Sequence, residues 1–280
     1  MTEARSDAHP LQLITRGDDL GCNHTANVAI RDAYQHGILR NTSLMAPAPA
    51  IEDAAALLAG EPGLCCGLHC TITAEWDTLR WGPVLPPDRV PSLVDAHGHF
   101  LKTTRAVAEH NPQLEEIMAE LQAQLERARK LGFDVRYADT HMGFASVVDG
   151  LRGAIDAWCK REGILNAHRY GRRLPAAPAA HAAEARASAT ADPVDPVEQF
   201  IARLEPLVRR AAPPEQYLIV GHPAYDTPEM HQLGHEGWPG DRVAVERDWQ
   251  RRIFMDPRVV RYCAEAGVVP LRYDEAEPVT

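Results

Sequence analysis

The 280-residue chain lacks any apolar run near the roughly 20 residues that a membrane-spanning helix needs, which speaks against a membrane protein. Its opening stretch, Met1 to Pro10, has no apolar centre of the kind a signal peptide carries, and it reads as a flexible N-terminus on a cytoplasmic protein. Basic residues are in deficit: 29 Lys and Arg face 39 Asp and Glu, for a formal net charge of -10. That balance favours solubility and argues against nucleic acid or an anionic membrane as partner. No C-x-x-C pair occurs either. The six cysteines (Cys22, Cys65, Cys66, Cys70, Cys159 and Cys263) are irregularly spaced. They read as small buried hydrophobes in a reducing compartment rather than as a zinc or disulfide framework. No internal repeat is visible.

With 45% apolar and 24% charged residues, the chain has a globular composition and enough length to bury a sizeable core. Apolar strands alternate with amphipathic helices, the pattern of a parallel sheet flanked by helices. Strands are expected at 11–16, 41–45, 64–69, 135–141, 164–168, 216–220 and 268–273. Helices are expected at 23–36, 51–59, 115–131, 148–161, 197–210, 243–255 and 258–266. Gly37 and Gly132 stand where C-terminal caps belong. About seven parallel strands of this kind suit an α/β fold, a distorted (β/α) barrel that need not close completely. Residues 71–112, rich in Pro, Gly, Trp and His, are too many for an ordinary connection. They read as an insertion over the site within one domain, residues 11–280. Residues 174–196, Ala- and Pro-rich without periodicity, read as a surface linker in preference to a substrate lid.

Two adjacent carboxylates end the first strand, in Thr15-Arg16-Gly17-Asp18-Asp19-Leu20-Gly21. Burying both is costly unless a cation or a proton compensates them. Strand ends are also where α/β folds place their chemistry. Gly67-Leu68-His69 and Asp139-Thr140-His141 close two further strands. Asp19, His69 and His141 are therefore candidate ligands of one divalent metal ion per chain, with positions left for water and substrate. The set suits zinc first, then nickel, cobalt or iron, and magnesium less well. Neighbouring side chains in an extended segment diverge, so Asp18 is expected off the metal, as a general base for its water. Asp139, on the face of His141, is expected to accept a hydrogen bond that fixes an imidazole tautomer. In Gly221-His222-Pro223 a strand runs into a His held between Gly and Pro, a candidate proton donor to a leaving amine. Arg16, Arg169, Trp76 and Trp81 are candidate pocket residues, the indoles stacking on sugar faces. His97 and His99 have metal-like spacing but fall in a polar turn and read as surface.

With these residues in hand, the chain resembles the YdjC-like (ChbG/HpnK) carbohydrate deacetylase family from about Leu11 to Tyr273. The resemblance rests on Gly17-Asp18-Asp19-Leu20-Gly21, His36-Gly37-Ile38, Thr42-Ser43-Leu44-Met45, Gly67-Leu68-His69, Asp139-Thr140-His141 and Gly221-His222-Pro223, taken together in that order. It implies a distorted barrel with Asp19, His69 and His141 on a divalent metal, Asp18 as base and His222 as acid. It also implies a hydrolase that removes an acetyl group from an N-acetylated amino sugar or short oligosaccharide. Gly143 stands where members often carry a His, and Arg16-Gly17 where Asn-Ala is usual. Both departures alter the pocket wall. Two rival readings are another metal-dependent amide or phosphoester hydrolase on the same barrel, and a non-catalytic carbohydrate-binding protein with a vestigial site. A pure binder has no need of His222 as a proton donor. The expected partner is a small sugar, and a homodimer is compatible with the sequence.

Overall fold

Leu11 to Leu20 run as one strand, β1, covered on both faces from Leu13 onward, apolar at Leu13 and Ile14 and then polar at Thr15, Arg16, Asp18 and Asp19. The computed structural model describes residues 10–174, 195–209 and 216–279. The flexible N-terminus expected over residues 1–10 lies outside the described residues apart from Pro10, and so does nearly all of the 174–196 excursion. Around β1 are β2 (Asn41–Leu44), β3 (Cys65–Cys70), β4 (Val135–Thr140) and β5 (Leu165–Asn166). The two-residue β6 (Arg172–Arg173), β7 (Gln216–Gly221) and β8 (Val268–Leu271) complete the sheet. Every pair is parallel, in the order β5-β4-β3-β2-β1-β7-β6, and β8 also pairs with β1. The seven expected strands are all present, joined by the short β6. No strand pair links β5 to β6 among the described residues, so the barrel stays open along that seam.

Alternation along the strands sorts side chains into two cores. Leu13, Cys66, Ala138 and Ile219 face the helices and belong to the larger one. Their neighbours Ile14, Cys65, Tyr137 and Leu218 face inward and form the smaller one with Ala167, Leu271 and Tyr273. The helices are α1 (His24–His36), α2 (Ile51–Leu58), α3 (Thr104–Glu109), α4 (Leu114–Lys130) and α5 (Leu151–Glu162). They continue with α6 (Pro196–Val208), α7 (Gly240–Met255) and α8 (Pro257–Ala266). In α4 the buried stripe is Ile117, Leu121, Leu125 and Ala128, spaced for one helical face. Each of its larger side chains contributes roughly 1.5–3 kcal/mol by leaving water. All six cysteines are buried and unpaired.

Gly37 is not the left-handed cap that its position suggests: its φ of -127° is extended. Close packing demands the glycine instead, because a Cβ there would lie 2.1 Å from the carbonyl oxygen of Phe254. Asn41 holds the junction where β8 leaves the edge of β1 and β2 takes over. Its Nδ2 donates to the carbonyls of Thr15 (2.9 Å) and Leu271 (2.8 Å), and its Oδ1 accepts from the N–H of Tyr273 (2.7 Å). Those backbone groups would otherwise be buried without partners.

The long segment after β3 contains two single 3-10 turns, Pro87–Arg89 and Pro91–Leu93, before α3. Its Ile72, Trp81, Val90, Leu93 and Phe100 join the larger core. Glu120 of α4 pins it down, accepting from the N–H groups of Val84 (2.9 Å) and Leu85 (3.0 Å).

Candidate metal centre

The inward face of the strands turns polar toward their C-terminal ends, where Arg16 and Asp18 of β1, His69 of β3 and Asp139 of β4 follow the apolar floor. β1 reaches this point with a bulge. Gly17 pairs with Thr42 but Leu20 pairs with Leu44, so Asp18 and Asp19 together oppose Ser43 alone. Asp19 takes up the extra length at φ 66°, a left-handed conformation that Asp tolerates better than most residues. The expectation that adjacent carboxylates diverge holds only for regular extension. Here the bulge re-aims Asp19, and both carboxylates line one cleft of about 700 Å³.

His69 and Asp139 are register partners on adjacent strands, and the His69 Nδ1–H donates to Asp139 Oδ1 at 2.9 Å. That fixes the tautomer and leaves Nε2 as a lone-pair donor. His141 is held the opposite way round. Its Nε2–H donates to Glu75 Oε2 at 2.9 Å, which leaves Nδ1 free. The free nitrogens of His69 and His141 lie 3.2 Å apart, and Asp19 Oδ1 sits 3.6 Å from the first and 3.5 Å from the second. Asp19 Oδ1 is buried and has no hydrogen-bond partner. Bonds of about 2.1 Å at tetrahedral angles would place donor atoms roughly 3.4 Å apart, which is the spacing found.

Charge points the same way. Asp18, Asp19, Asp139 and Glu75 are four buried carboxylates beside two guanidinium groups, Arg16 and Arg247. With neutral imidazoles, two negative charges remain, which one divalent cation would cancel. Burial opposes charge on His141, but Glu75 and Asp19 outweigh it and push the imidazole up to about 10. Burial would likewise raise Asp19, yet Arg247 and the two imidazoles hold it well below the ordinary carboxylate range. A positive species among these three donors is strongly favoured.

Asp18 accepts from Arg16 Nε (2.7 Å) and Nη2 (2.9 Å). Burial nonetheless lifts its carboxyl above the usual 3.8, against the pull of Arg16 and His69. His222 lines the same cleft, where Gln250 Oε1 accepts from its Nδ1 at 3.1 Å and from its backbone N–H. Its Nε2 is the nitrogen left for chemistry. His141 is followed by two left-handed residues, Met142 (φ 53°) and Gly143 (φ 67°). Both line the cleft, and a Cβ on Gly143 would meet nothing within 4 Å.

Three expected pocket residues lie elsewhere. Arg169 is exposed and pairs with Asp156 at 2.5 Å. Trp76 is buried against the ring of His235, with 5.9 Å between ring centroids. Trp81 is buried with its indole N–H on the Thr73 carbonyl (2.8 Å) and its ring edge-on to His141, 6.3 Å between centroids. The apolar surroundings that place the two indoles in a core also keep them off the cleft wall. Arg16 does line the cleft, with Nε, Nη1 and Nη2 each donating to a protein group. His97 and His99 sit on a surface turn, their rings 6.4 Å apart. Glu75, Arg247 and Gln250 carry no motif in the sequence; the fold alone reveals them.

Residues 12–265 match the sequence profile of the YdjC-like proteins. Curated relatives include carbohydrate deacetylase 1 of Listeria innocua, 30% identical over 133 residues, 47% of this chain and 51% of that protein. A chitooligosaccharide deacetylase of Serratia marcescens is 35% identical over 131 residues, 46% of this chain and 48% of that protein. The chain spans about half the length of the curated relatives it matches. The crystal structure of an Enterococcus faecalis protein named for cellobiose-phosphate cleavage superposes with a TM-score of 0.71 at 21% identity. That match covers 95% of this chain and 99% of the other, and shows a shared fold.

Proposed function

The chain belongs to the YdjC-like protein family, and from that premise we propose that it is a metal-dependent hydrolase removing an acetyl group from an N-acetylated amino sugar or short oligosaccharide. The observation that carries the reading is the convergence of three lone-pair donors, on Asp19, His69 and His141, in a buried pocket beside two proton-handling groups. We assign the metal to those three residues, with zinc as the preferred ion for two imidazoles and one carboxylate. When bound, a divalent ion lowers the pKa of water and polarises the amide carbonyl. Asp18, anchored by Arg16 and adjacent to the ligand Asp19, accepts the proton of the attacking water. His222, with Nδ1 engaged by Gln250, presents Nε2 to the cleft and donates a proton to the departing amine. Without that donation, C–N cleavage is slow. A cleft of about 700 Å³ suits a mono- or disaccharide.

The test is metal analysis of the purified protein, with acetate release from N-acetylglucosamine oligomers measured before and after chelation. One metal per chain and acetate release that vanishes with chelator and returns with zinc are expected. Metal without acetate release from any N-acetylated sugar would overturn the substrate reading. Absence of metal under replete conditions would overturn the ligand assignment.

A further inference from the structure

Arg16 is 7% exposed, and its side chain reaches into the polar floor of the cleft. Its guanidinium has five N–H donors. Nε and Nη2 grip both oxygens of Asp18, at 2.7 and 2.9 Å, as a two-pronged fork. Nη2 also lies 2.8 Å from Asp139 Oδ2, as an ion pair without hydrogen-bond alignment. Nη1 donates to the Tyr273 hydroxyl at 3.1 Å, and the Tyr273 ring is itself clamped against Tyr137, with centroids 4.4 Å apart. Asp139, the carboxylate that pairs with Arg16, is the same group that takes the His69 Nδ1–H. A continuous chain of contacts thus runs from the floor tyrosines through Arg16 to Asp18 on one branch. On the other branch it runs through Asp139 to His69.

We propose that Arg16 is a positioning residue that locks the Asp18 carboxylate and the His69 imidazole into one rigid unit. Lysine cannot replace it, because a single ammonium does not match the planar, bidentate geometry and also reach the second carboxylate. Its three hydrogen bonds go to Asp18 and Tyr273 and its remaining ion pair to Asp139, so Arg16 acts through these groups and not on substrate. Asp18, His69 and Asp139 have ligand atoms within 4.8 Å of one another, and the guanidinium supplies the positive charge at the two carboxylates there. The catalytic half of the proposal rests on the deacetylase reading. The metal half does not.

Arg16→Lys tests both halves, because it keeps the buried positive charge that an Ala variant would remove. Cobalt(II) is titrated into metal-free wild type and variant, with the visible absorption band as the readout of ligand geometry. The variant is expected to bind cobalt 10–100-fold more weakly with a shifted band, the usual effect of disturbing a ligand's outer partner. With an N-acetylglucosamine oligomer as substrate, kcat should fall about 100-fold while KM stays within about twofold. Arg16→Gly, assayed with and without millimolar guanidinium, should regain part of its cobalt binding when guanidinium is added, provided circular dichroism shows it folded. An unchanged cobalt band and affinity in Arg16→Lys would overturn the link to His69. A raised KM with unchanged kcat would make Arg16 a substrate contact and overturn the positioning role. If wild type releases no acetate but the cobalt results hold, the deacetylase reading fails and the link to His69 stands.

Discussion

The bulge at Asp18 and Asp19 lets two neighbouring side chains serve one cleft in different capacities. Asp19 offers an oxygen with no partner, whereas both oxygens of Asp18 rest on Arg16. Asp18→Asn should therefore keep the metal and lose turnover by about 10²–10⁴-fold, the range for removing a general base. Metal content and kcat measured on one preparation check this, and full activity would remove Asp18 from the base role. Glu75→Gln keeps a hydrogen-bond acceptor for His141 but removes a negative charge, so cobalt affinity should drop by about tenfold or more. Equilibrium titration is the readout. At this scale the sequence was informative about the donors and about one support, Asp139 on His69, and silent about the other supports. Asp19, His69 and His141 announce themselves because a polar residue at the end of an apolar strand is costly without a purpose. Glu75, Arg247 and Gln250 come from an insertion and a helix, where charged and amide residues are common. Only long-range packing gives them meaning. The bulge itself escaped notice because register is a property of two strands and is not written in one.

Strands and helices were legible from periodicity to within a few residues, since alternation and helical stripes survive burial. Their junctions were not. Gly37 has the position of a helix cap and the task of a packing gap, and the difference lies in Phe254, more than two hundred residues away. Asn41 likewise looks like an ordinary polar strand residue, yet it satisfies three backbone groups at a branch in the sheet. Asn41→Leu should cost about 3 kcal/mol or more, because each orphaned buried group forfeits roughly 1–3 kcal/mol. Chemical denaturation would show the loss as a lower midpoint. Glu120 ties α4 to the insertion, and burial raises its carboxyl above the usual 4.5 despite Gln124 and the two N–H groups it accepts. The native state therefore keeps this proton at pH values where the unfolded chain has lost it. Stability accordingly declines as pH rises from about 4.5 through the higher folded value. Glu120→Gln removes that decline and orphans one N–H, so the variant should be less stable at low pH and approach wild type as pH rises. Melting temperatures across that window give the sign directly, and a gap that widens with pH would contradict it.

Across the whole molecule, cofactor and fold should be coupled. A site that gathers four carboxylates and two imidazoles at the ends of β1, β3, β4 and the neighbouring loops exists only in the folded chain. Zinc at 100 times its dissociation constant should add about 2.7 kcal/mol of stability. His69→Ala should erase that zinc-dependent rise in melting temperature, read as the difference between the variant with and without zinc. The barrel class was legible because strand and helix patterns alternate along most of the sequence. That it need not close was legible as well, but the seam's far side was not, because Arg172–Arg173 is too short to leave a pattern.

Among the described residues β1 is also the one strand that touches three others, and its partners lie at very different distances along the chain. β2 follows within about 25 residues, but β7 begins at Gln216 and β8 at Val268. On a ribosome making about 5–20 residues per second, β1 therefore waits many seconds for two of its neighbours. During that wait an apolar edge, with Asp18 and Asp19 at its tip, has nothing native to pair with on one side. Such distant pairing makes for slow folding and gives holding chaperones a natural client. It also sets the order of events in the life of each molecule: the first residues of the site to be synthesised are among the last to be locked in place.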